Sequence, residues 1–379
     1  MLSDYILIGA DLVPTKSNID LFTTGNRTEL IGTDLDKIME EARYRIFNLE
    51  VPLTDIEEPI LKQGPNLIAP TKTIEGYKAL GVDLFTLANN HILDQNKQGL
   101  QSTICTLDNA GISHLGAGKN LAEAAASYVF SFCGKQIGIY ACAEHEFSIA
   151  TENTVGANPF DPLWSLDHVA ELKRNVDFVI VLYHGGKEHY RYPSPNLQKI
   201  CRRLVDKGAD LVICQHSHCI GCEEKYKDGT VVYGQGNFIF DDSDNECWQT
   251  AMLVMLDNRF QISYIPLVKV RNGVRLADET WEKQIFDAFR KRSDEIKAPG
   301  FIEQQYMKFA DEFLDFYLYA VSGKKSLLFR IINKLTKGSY MRKRNHKVYE
   351  TQDKVRITNY IDCEAHRELL LQALANMKL

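Results

Sequence analysis

Val82-Asp-Leu-Phe-Thr-Leu87 is followed at once by Ala88-Asn-Asn-His91, so an apolar run gives way abruptly to two amides and an imidazole. Four of its six residues are apolar, which predicts a β-strand, because short and mainly apolar stretches of about four to eight residues are typical of buried strands. The polar residues then fall where the strand ends. The same order, a strand followed by polar side chains that could bind a ligand, recurs elsewhere in the chain.

Four other apolar runs end in the same way. They are Tyr5–Ile8 before Asp11, Tyr44–Phe47 before Glu50, Phe178–Leu182 before His184 and Leu211–Cys214 before His216. Further strands are predicted at 135–141, 230–233 and 238–240, and helices at 73–80, 98–110 and 197–207. Strands separated by helices predict a layered α/β sheet. In such sheets the carboxyl ends of the strands share the edge where ligands bind.

Composition narrows the class of protein. The 379 residues are 45% hydrophobic and 25% charged, which excludes a disordered, collagen-like or coiled-coil chain. Residues 271–379 hold 21 Lys or Arg against 15 Asp or Glu, a net charge of +6. Because the whole chain has a net charge of −6, residues 1–270 have a net charge of −12. We therefore predict two parts, 1–270 and a mainly helical 271–379. Nucleic acid is not an expected partner, because phosphate neutralisation needs a basic excess.

Location is predicted from what the chain lacks. Asp4 interrupts the place where the apolar core of a secretory signal would begin, and no stretch is long and apolar enough for a membrane span. The nine cysteines are an odd number, which favours reduced thiols in the cytoplasm. Cys219-Ile-Gly-Cys222 has the spacing of a zinc-binding pair, but no second pair accompanies it, so buried packing is the favoured interpretation.

The polar residues at the predicted edge make a mixed oxygen and nitrogen donor set. It comprises Asp11, Glu50, Asn90, His91, His184, His216 and His218. This mixture suits one or two divalent ions of Mn, Fe or Zn. Two ions that share a carboxylate can hold both the attacking and the leaving oxygen of a hydrolysis. His216 and His218 are predicted to alternate on an extended segment and so to point the same way.

The same residues lie in ordered motifs that resemble the CapA family of capsule-biosynthesis proteins, within the calcineurin-like metallophosphatase superfamily. The motifs are Ile8–Asp11, Asn48–Leu53, Leu87–Asp94, Gly116–Gly118, His184–Tyr190, Gly208–His218 and Gly234–Asp241. The resemblance implies a layered metallophosphatase-like α/β/β/α sandwich, here with a C-terminal helical extension. It also implies capsule or poly-γ-glutamate biosynthesis as the setting.

The resemblance implies roles for individual residues. Asp11, Glu50, Asn90, His184, His216 and His218 would be the metal ligands, with Glu50 in the bridging position where the superfamily usually has Asp. His91 would be the catalytic acid that protonates the leaving group. Asn48 and Asn237 would support the ligands or line the substrate cleft, although Asn237 is equally compatible with a simple turn. Independently of the resemblance, Asp94 and Glu188 are expected to support the ligands or to cap a helix, and not to bind the metal. Val13 stands where the superfamily usually has another metal-binding His. This would weaken the metal position formed by Asp11 and His218.

Two functions of different classes follow. The first is a metal-dependent hydrolase that acts on a phosphate ester, or on an amide or ester bond of a polymer. The second is a non-catalytic scaffold in a capsule-synthesis complex, which Val13 favours and the retained histidines oppose. A third function, a nucleic-acid phosphodiesterase, would use the same chemistry. It is less favoured, because the acidic main part of this chain shows no basic groove with aromatic residues.

The C-terminal part carries a basic segment, 323–347, with nine Lys or Arg and no acidic residue. Leu327–Leu335 within it is apolar at helical spacing. The favoured interpretation is an amphipathic helix that packs on protein; the alternatives are docking on an anionic membrane at its inner face and binding of a polyanionic substrate. The expected partners are therefore a polymer or a phosphate-bearing small molecule, with a membrane or capsule-synthesis proteins as further options.

Overall fold

In the computed structural model, the described residues are 4–240, 245–322 and 327–375. The chain divides into two compact units, Met1–Glu303 and Gln304–Leu379. The first unit extends beyond residue 270, because the helix Glu279–Glu295 belongs to it. Two side chains of that helix, Ile285 and Phe289, pack in one apolar cluster with Met252.

The strands alternate with helices through most of the first unit. The strands are β1 (Tyr5–Asp11), β2 (Tyr44–Asn48), β3 (Leu84–Thr86), β4 (Ser113–Leu115), β5 (Ala117–Gly118), β6 (Tyr128–Phe132), β7 (Lys135–Ala143), β8 (Gly156–Ala157), β9 (Phe178–His184), β10 (Leu211–Gln215), β11 (Glu223–Tyr226), β12 (Gly229–Tyr233), β13 (Thr250–Asp257), β14 (Ile262–Val270) and β15 (Gly273–Leu276). The helices are α1 (Ile19–Thr23), α2 (Arg27–Glu41), α3 (Ile74–Leu80), α4 (Asn96–Ala110), α5 (Leu121–Ala124), α6 (Ser165–Asn175), α7 (Pro195–Asp206), α8 (Glu279–Glu295), α9 (Phe301–Val321), α10 (Leu327–Leu335), α11 (Ser339–Val348), α12 (Thr351–Asp362) and α13 (Glu364–Ala375).

Two large sheets form the centre of the first unit. One has seven strands in the order β15-β14-β13-β1-β2-β3-β4, and β1 to β4 run parallel to one another. The other has six strands in the order β11-β12-β10-β9-β7-β6, and β12, β10, β9 and β7 are parallel. Each sheet thus has a parallel centre, with antiparallel strands at one edge of the first sheet and at both edges of the second.

The two sheets pack face to face, and alternation along β1 shows how. Ile6 and Ile8 lie in the apolar layer that also holds Ile139 and Ile180 of the second sheet, whereas Tyr5 and Leu7 join the cluster on the opposite face. Side chains two apart share a face of a strand, so β1 is buried on both sides. Helices cover the two outer faces, with α2 to α4 on the first sheet and α6 and α7 on the second. The predicted α/β/β/α sandwich is confirmed.

Most predicted elements are present. The helices α3 and α4 end at Gly81 and Gly111, and both glycines have a φ of 71°, the left-handed conformation that ends a helix without strain. One predicted strand is wrong: of the segment 238–240, only Ile239 pairs, in an isolated bridge to Leu12. Asp241 lies outside the described residues.

The second unit is helical. Within it, Asn345 is buried and donates hydrogen bonds to the backbone oxygen and the carboxylate of Asp315, which fastens α11 to α9. The Tyr319 and Phe329 rings stack at 4.2 Å and join α9 to α10. No helix in the described part of the chain is long and apolar enough to cross a bilayer. Residues 323–326 of the predicted basic segment are outside the described residues.

Candidate metal centre

The predicted ligands lie at the carboxyl ends of strands from both sheets. Asp11 is the last residue of β1, and His184 is the last residue of β9. Glu50, Asn90 and His216 follow β2, β3 and β10 within a few residues. Because the parallel strands of each sheet end at the same edge, five stretches of chain converge there.

Three of these side chains surround one imidazole nitrogen of His184. His184 Nε2 lies 3.1 Å from Asn90 Oδ1 and 3.1 Å from Glu50 Oε1. His216 Nδ1 is also 3.1 Å from this nitrogen, and 4.0 Å from Glu50 Oε1. Nitrogen and oxygen ligands lie about 2.0–2.2 Å from zinc, so two ligands of one ion are about 3.0–3.5 Å apart. The spacing of these atoms is close to that of ligands around one divalent ion.

A second group adjoins the first and shares Glu50. It contains Asp11, Glu50 and His218, whose ligand atoms lie within 4.8 Å of one another. His218 Nδ1 is 3.5 Å from Asp11 Oδ2 and 2.8 Å from Asn237 Oδ1. Asn48 lies between the two groups: its amide donates to Asp11 Oδ1 at 2.7 Å and lies 3.2 Å from His184 Nδ1. Asn48 and Asn237 therefore both contact candidate ligands.

Glu50 provides the best test of whether a cation fits. Its side chain is completely buried, and neither carboxylate oxygen has a hydrogen-bond partner among the described residues. Burial opposes ionisation, but the surrounding imidazoles, His184 foremost, outweigh it and hold the pKa of the Glu50 carboxyl well below its usual range. A buried, ionised and unbonded carboxylate is costly without a cation. The donor set therefore fits a divalent metal ion.

The imidazoles next to these carboxylates are also shifted. Burial lowers the pKa of His218, but hydrogen bonding to Asp11 and the charge of Glu50 outweigh it and raise the pKa to about 9. The pKa of His216 is raised in the same manner, with Glu50 overcoming the effect of burial. Both shifts favour the protonated form of the imidazole beside the buried carboxylates.

The local geometry of two histidines differs from the prediction. The strand β10 ends at Gln215, and His216 and His218 have φ values of 82° and 55°, so they do not alternate on an extended segment. That prediction was wrong. The centres of the two rings nevertheless lie 5.8 Å apart, because the chain turns sharply just after the end of β10. Left-handed backbone in a residue other than glycine is uncommon and is often found at functional sites.

His91 lies on the loop after β3 and is held by two buried residues. His91 Nδ1 is 2.5 Å from Asp94 Oδ2, and Asp94 also accepts from the backbone nitrogen of Leu67 at 2.6 Å. Lys62 forms an ion pair with Asp94, and its Nζ is 3.2 Å from His91 Nδ1. The side chains of Lys62 and Asp94 are 2% and 0% exposed. Lys62 was not predicted, because the sequence around it carries no pattern that marks a lysine as buried.

The rim of the centre holds residues from the segment after β9. Glu188 offers a carboxylate oxygen within 4.8 Å of the ligand atoms of His216 and His218. His189 follows Glu188 on this segment. Its Nε2 accepts from Trp248 Nε1 at 2.9 Å, and the Trp248 ring lies 4.7 Å from that of His218. Trp248 is a second residue that the sequence did not single out.

The cysteines stay apart from the centre. No cysteine of the described chain belongs to the candidate ligand groups, and all nine are free thiols. Cys219 and Cys222 are buried, in agreement with a packing role.

This two-sheet sandwich, with its oxygen and imidazole donors at the strand ends, is a metallophosphatase-like fold with a candidate metal centre. The chain belongs to the family described as bacterial capsule synthesis protein PGA_cap, whose family model matches residues 11–242. That match includes every predicted metal ligand, and it confirms the resemblance stated from the motifs.

Known relatives agree with this family. The capsule biosynthesis protein CapA of Bacillus anthracis is 28% identical over 257 residues, which cover 65% of this chain and 62% of that protein. The PGA biosynthesis protein CapA of Bacillus subtilis (strain 168) is 28% identical over 284 residues, covering 70% of this chain and 74% of that protein. The chain thus matches less than two thirds of the length of the Bacillus anthracis relative.

Solved structures are more distant. A phosphatase from Mycoplasma pneumoniae has a TM-score of 0.43 at 17% identity, covering 74% of this chain and 97% of that one. A 5'-nucleotidase from Staphylococcus aureus, described as putative, has a TM-score of 0.43 at 17% identity, covering 75% and 58%. Likenesses at this level say nothing further about this chain.

Proposed function

We propose that this protein is a metal-dependent hydrolase in the assembly of a bacterial capsule or of poly-γ-glutamate. The observation that carries the proposal is the buried Glu50 carboxylate, which has imidazoles around it and no hydrogen-bond partner among the described residues. Replacement of a buried ion pair by apolar side chains is often neutral or stabilising, so packing alone does not require this carboxylate. Its position among histidines supports a role in binding a cation.

The donors would hold the metal in two positions that share Glu50. One position uses Asn90, His184 and His216 with Glu50, and the other uses Asp11 and His218 with Glu50. Mixed carboxylate, amide and imidazole donors suit Mn, Fe or Zn, with one or two ions bound. When bound, such ions polarise the bond to be cleaved and make water a better nucleophile at neutral pH.

His91 is the proposed proton donor. Asp94 accepts the hydrogen bond from Nδ1, which fixes the ring orientation and directs Nε2 away from Asp94. The His91 side chain is 12% exposed, so Nε2 can reach a leaving group while the partners of Nδ1 stay buried. Asp94 and Lys62 act as positioning residues in this scheme.

The proposed substrate is a polymer or a phosphate-bearing small molecule of the capsule pathway, with a phosphate ester, amide or ester as the bond cleaved. Family membership supports the setting. The alternative is a scaffold without catalysis, and one observation favours it. Val13 is 2% exposed and lies in the apolar core, so it offers no donor to the Asp11 position.

Metal analysis separates the two functions. Protein purified without chelator is expected to contain one or two Mn, Fe or Zn ions per chain, and His216→Ala is expected to lose at least one. His114→Ala is the matched control, because His114 pairs with Asp108 on the surface. The loaded wild-type protein should hydrolyse aryl phosphate or phosphodiester model substrates. Metal-free wild-type protein would contradict the hydrolase and favour the scaffold.

The second unit adds a proposed partner, an anionic membrane. Leu328, Ile331 and Leu335 recur at helical spacing on α10 and are 67%, 49% and 78% exposed. Lys334 and Lys337 beside them are exposed as well. An exposed apolar stripe next to lysines matches the interface of an anionic bilayer, which attracts basic residues and accepts apolar ones. This would place the protein in the cytoplasm, at the inner membrane face.

A further inference from the structure

The chain after β9 bends at Gly186 and stays beside the loop that follows β10. Gly186 has a φ of 108°, a left-handed value that glycine adopts without strain. Gly185 lies so close to Tyr183 and Glu144 that a Cβ there would come within 2.5 Å of both side chains. The pair of glycines thus lets the chain turn tightly and carries Glu188 towards the loop after β10.

Backbone hydrogen bonds keep the turn against that loop. Gly185 donates to the backbone oxygen of Gln215 at 3.2 Å, and His189 donates to that of Ser217 at 2.8 Å. These two bonds flank Glu188 in sequence, so its backbone is held beside the segment that carries His216 and His218. The position of Glu188 is therefore a property of the fold and does not depend on its own side chain.

The carboxylate of Glu188 faces two of the candidate imidazole ligands. Its carboxylate oxygen lies within 4.8 Å of the ligand atoms of His216 and His218, each of which also belongs to one of the two proposed metal positions. Within the described chain, Glu188 forms no ion pair or hydrogen bond that would use the carboxylate elsewhere. A carboxylate at the junction of both positions is placed to bind a cation.

The two positions are not equally provided with donors. Glu50, Asn90, His184 and His216 make four donors on one side, whereas Asp11, Glu50 and His218 make three on the other. Val13 adds nothing to the smaller set because its side chain is part of the apolar core. Glu188 is the carboxylate that the fold brings next to His218 on the exposed side.

We propose that Glu188 is a metal ligand of this chain, which binds the ion held by Asp11, Glu50 and His218 and closes that position from the solvent side. The inference rests on the proposed metal centre. It replaces the supporting role that the sequence suggested for Glu188 with direct coordination. It also answers how the Asp11 position can hold an ion despite Val13.

The experiment is Mn²⁺ titration followed by elemental analysis and electron paramagnetic resonance. The wild-type protein is expected to bind two Mn²⁺ per chain and to give the spectrum of a coupled pair. Glu188→Gln is expected to keep one Mn²⁺, to bind the second at least about tenfold more weakly, and to give the spectrum of an isolated ion. Glu188→His keeps a donor and should restore the second ion.

Glu171→Gln is the matched control, because Glu171 is exposed on α6. It should behave as the wild type does. Two ions and a coupled spectrum in Glu188→Gln would overturn the inference and leave the hydrolase proposal intact. A single ion in both wild type and Glu188→Gln would overturn it too. A wild-type protein that binds no Mn²⁺ would instead refute the metal centre itself. Circular dichroism checks that each variant is folded.

Discussion

Lys62 and Asp94 form an ion pair that is almost entirely buried, with side chains 2% and 0% exposed. Lys62 comes from the long segment between β2 and α3, and Asp94 from the loop after β3. Both contact the same nitrogen of His91. The pair therefore links the segment between β2 and α3 to His91, the proposed proton donor. We expect it to affect both the stability and the activity of the protein.

Removal of Lys62 should destabilise the protein strongly. Lys62→Met leaves the Asp94 carboxylate buried without a cation, and breaking a buried pair in this way costs about 3–5 kcal/mol. Urea unfolding measures the change. Lys37→Met is the control, since Lys37 and Asp34 are 72% and 75% exposed and their pair should contribute only about 0–1 kcal/mol. Similar small losses in both variants would show that the buried pair does not stabilise the fold.

Asp94 should matter for catalysis more than for metal binding. Asp94→Asn can no longer accept the Nδ1 hydrogen bond as a carboxylate, so His91 loses its fixed orientation and tautomer. The kcat for a model phosphodiester with Mn²⁺ should fall by about 10²-fold or more, as general acid–base catalysis contributes about 10²–10⁴. Metal content should not change.

Asp108→Asn is a matched control for that variant, because Asp108 lies 3.1 Å from His114 in a surface His–Asp pair. Its kcat should equal that of the wild type. An unchanged kcat in Asp94→Asn would remove His91 and Asp94 from the proposed mechanism.

The metal-free protein should lose stability as the pH rises. The pKa of His218 is raised to about 9 in the folded state, against an ordinary value of 6.5. The protonated form is thus favoured by folding, so this contribution is complete below pH 6.5 and is lost as the pH rises through about 9. Thermal melts in chelator between pH 6 and 9.5 measure it.

Bound metal should reverse the loss of stability with rising pH, because imidazole binds a metal ion only when it is deprotonated. Mn²⁺ affinity should therefore increase over the same pH interval. His218→Asn, which cannot titrate, should flatten the pH dependence of the melts. Equal slopes in the variant and the wild type would assign the dependence to other groups.

The exposed face of α10 should bind anionic vesicles. The full-length protein should sediment with phosphatidylglycerol vesicles and not with phosphatidylcholine vesicles, and the double variant Leu328→Asp/Ile331→Asp should lose most of this binding. Leu163→Asp, at a residue 72% exposed in the first unit, is the control and should sediment normally. Binding should weaken with salt, because the lysines are screened. Failure to sediment, together with self-association in light scattering, would assign the face to a second copy of the chain.

The sequence alone determined the layered architecture and which strand-end residues meet at one edge of the sheets. Alternation such as Ile6 and Ile8 against Tyr5 and Leu7 depends only on strand geometry, so the burial of both sheet faces can be predicted from local pattern. Strand ends followed by polar residues placed Asp11, Glu50, Asn90, His184 and His216 at a common edge for the same reason. These inferences need no knowledge of how the loops run.

Only the tertiary structure decided which other residues join that edge. Lys62 lies on a segment without regular pattern, and its burial against Asp94 depends on the path of that segment over the loop after β3. Glu188 lies near His216 and His218 because the chain bends at Gly186 and stays beside the loop after β10. The orientation of both histidines comes from left-handed backbone beyond the end of β10. Contacts of this kind join positions distant in sequence, so they depend on loop conformation and packing and not on local periodicity.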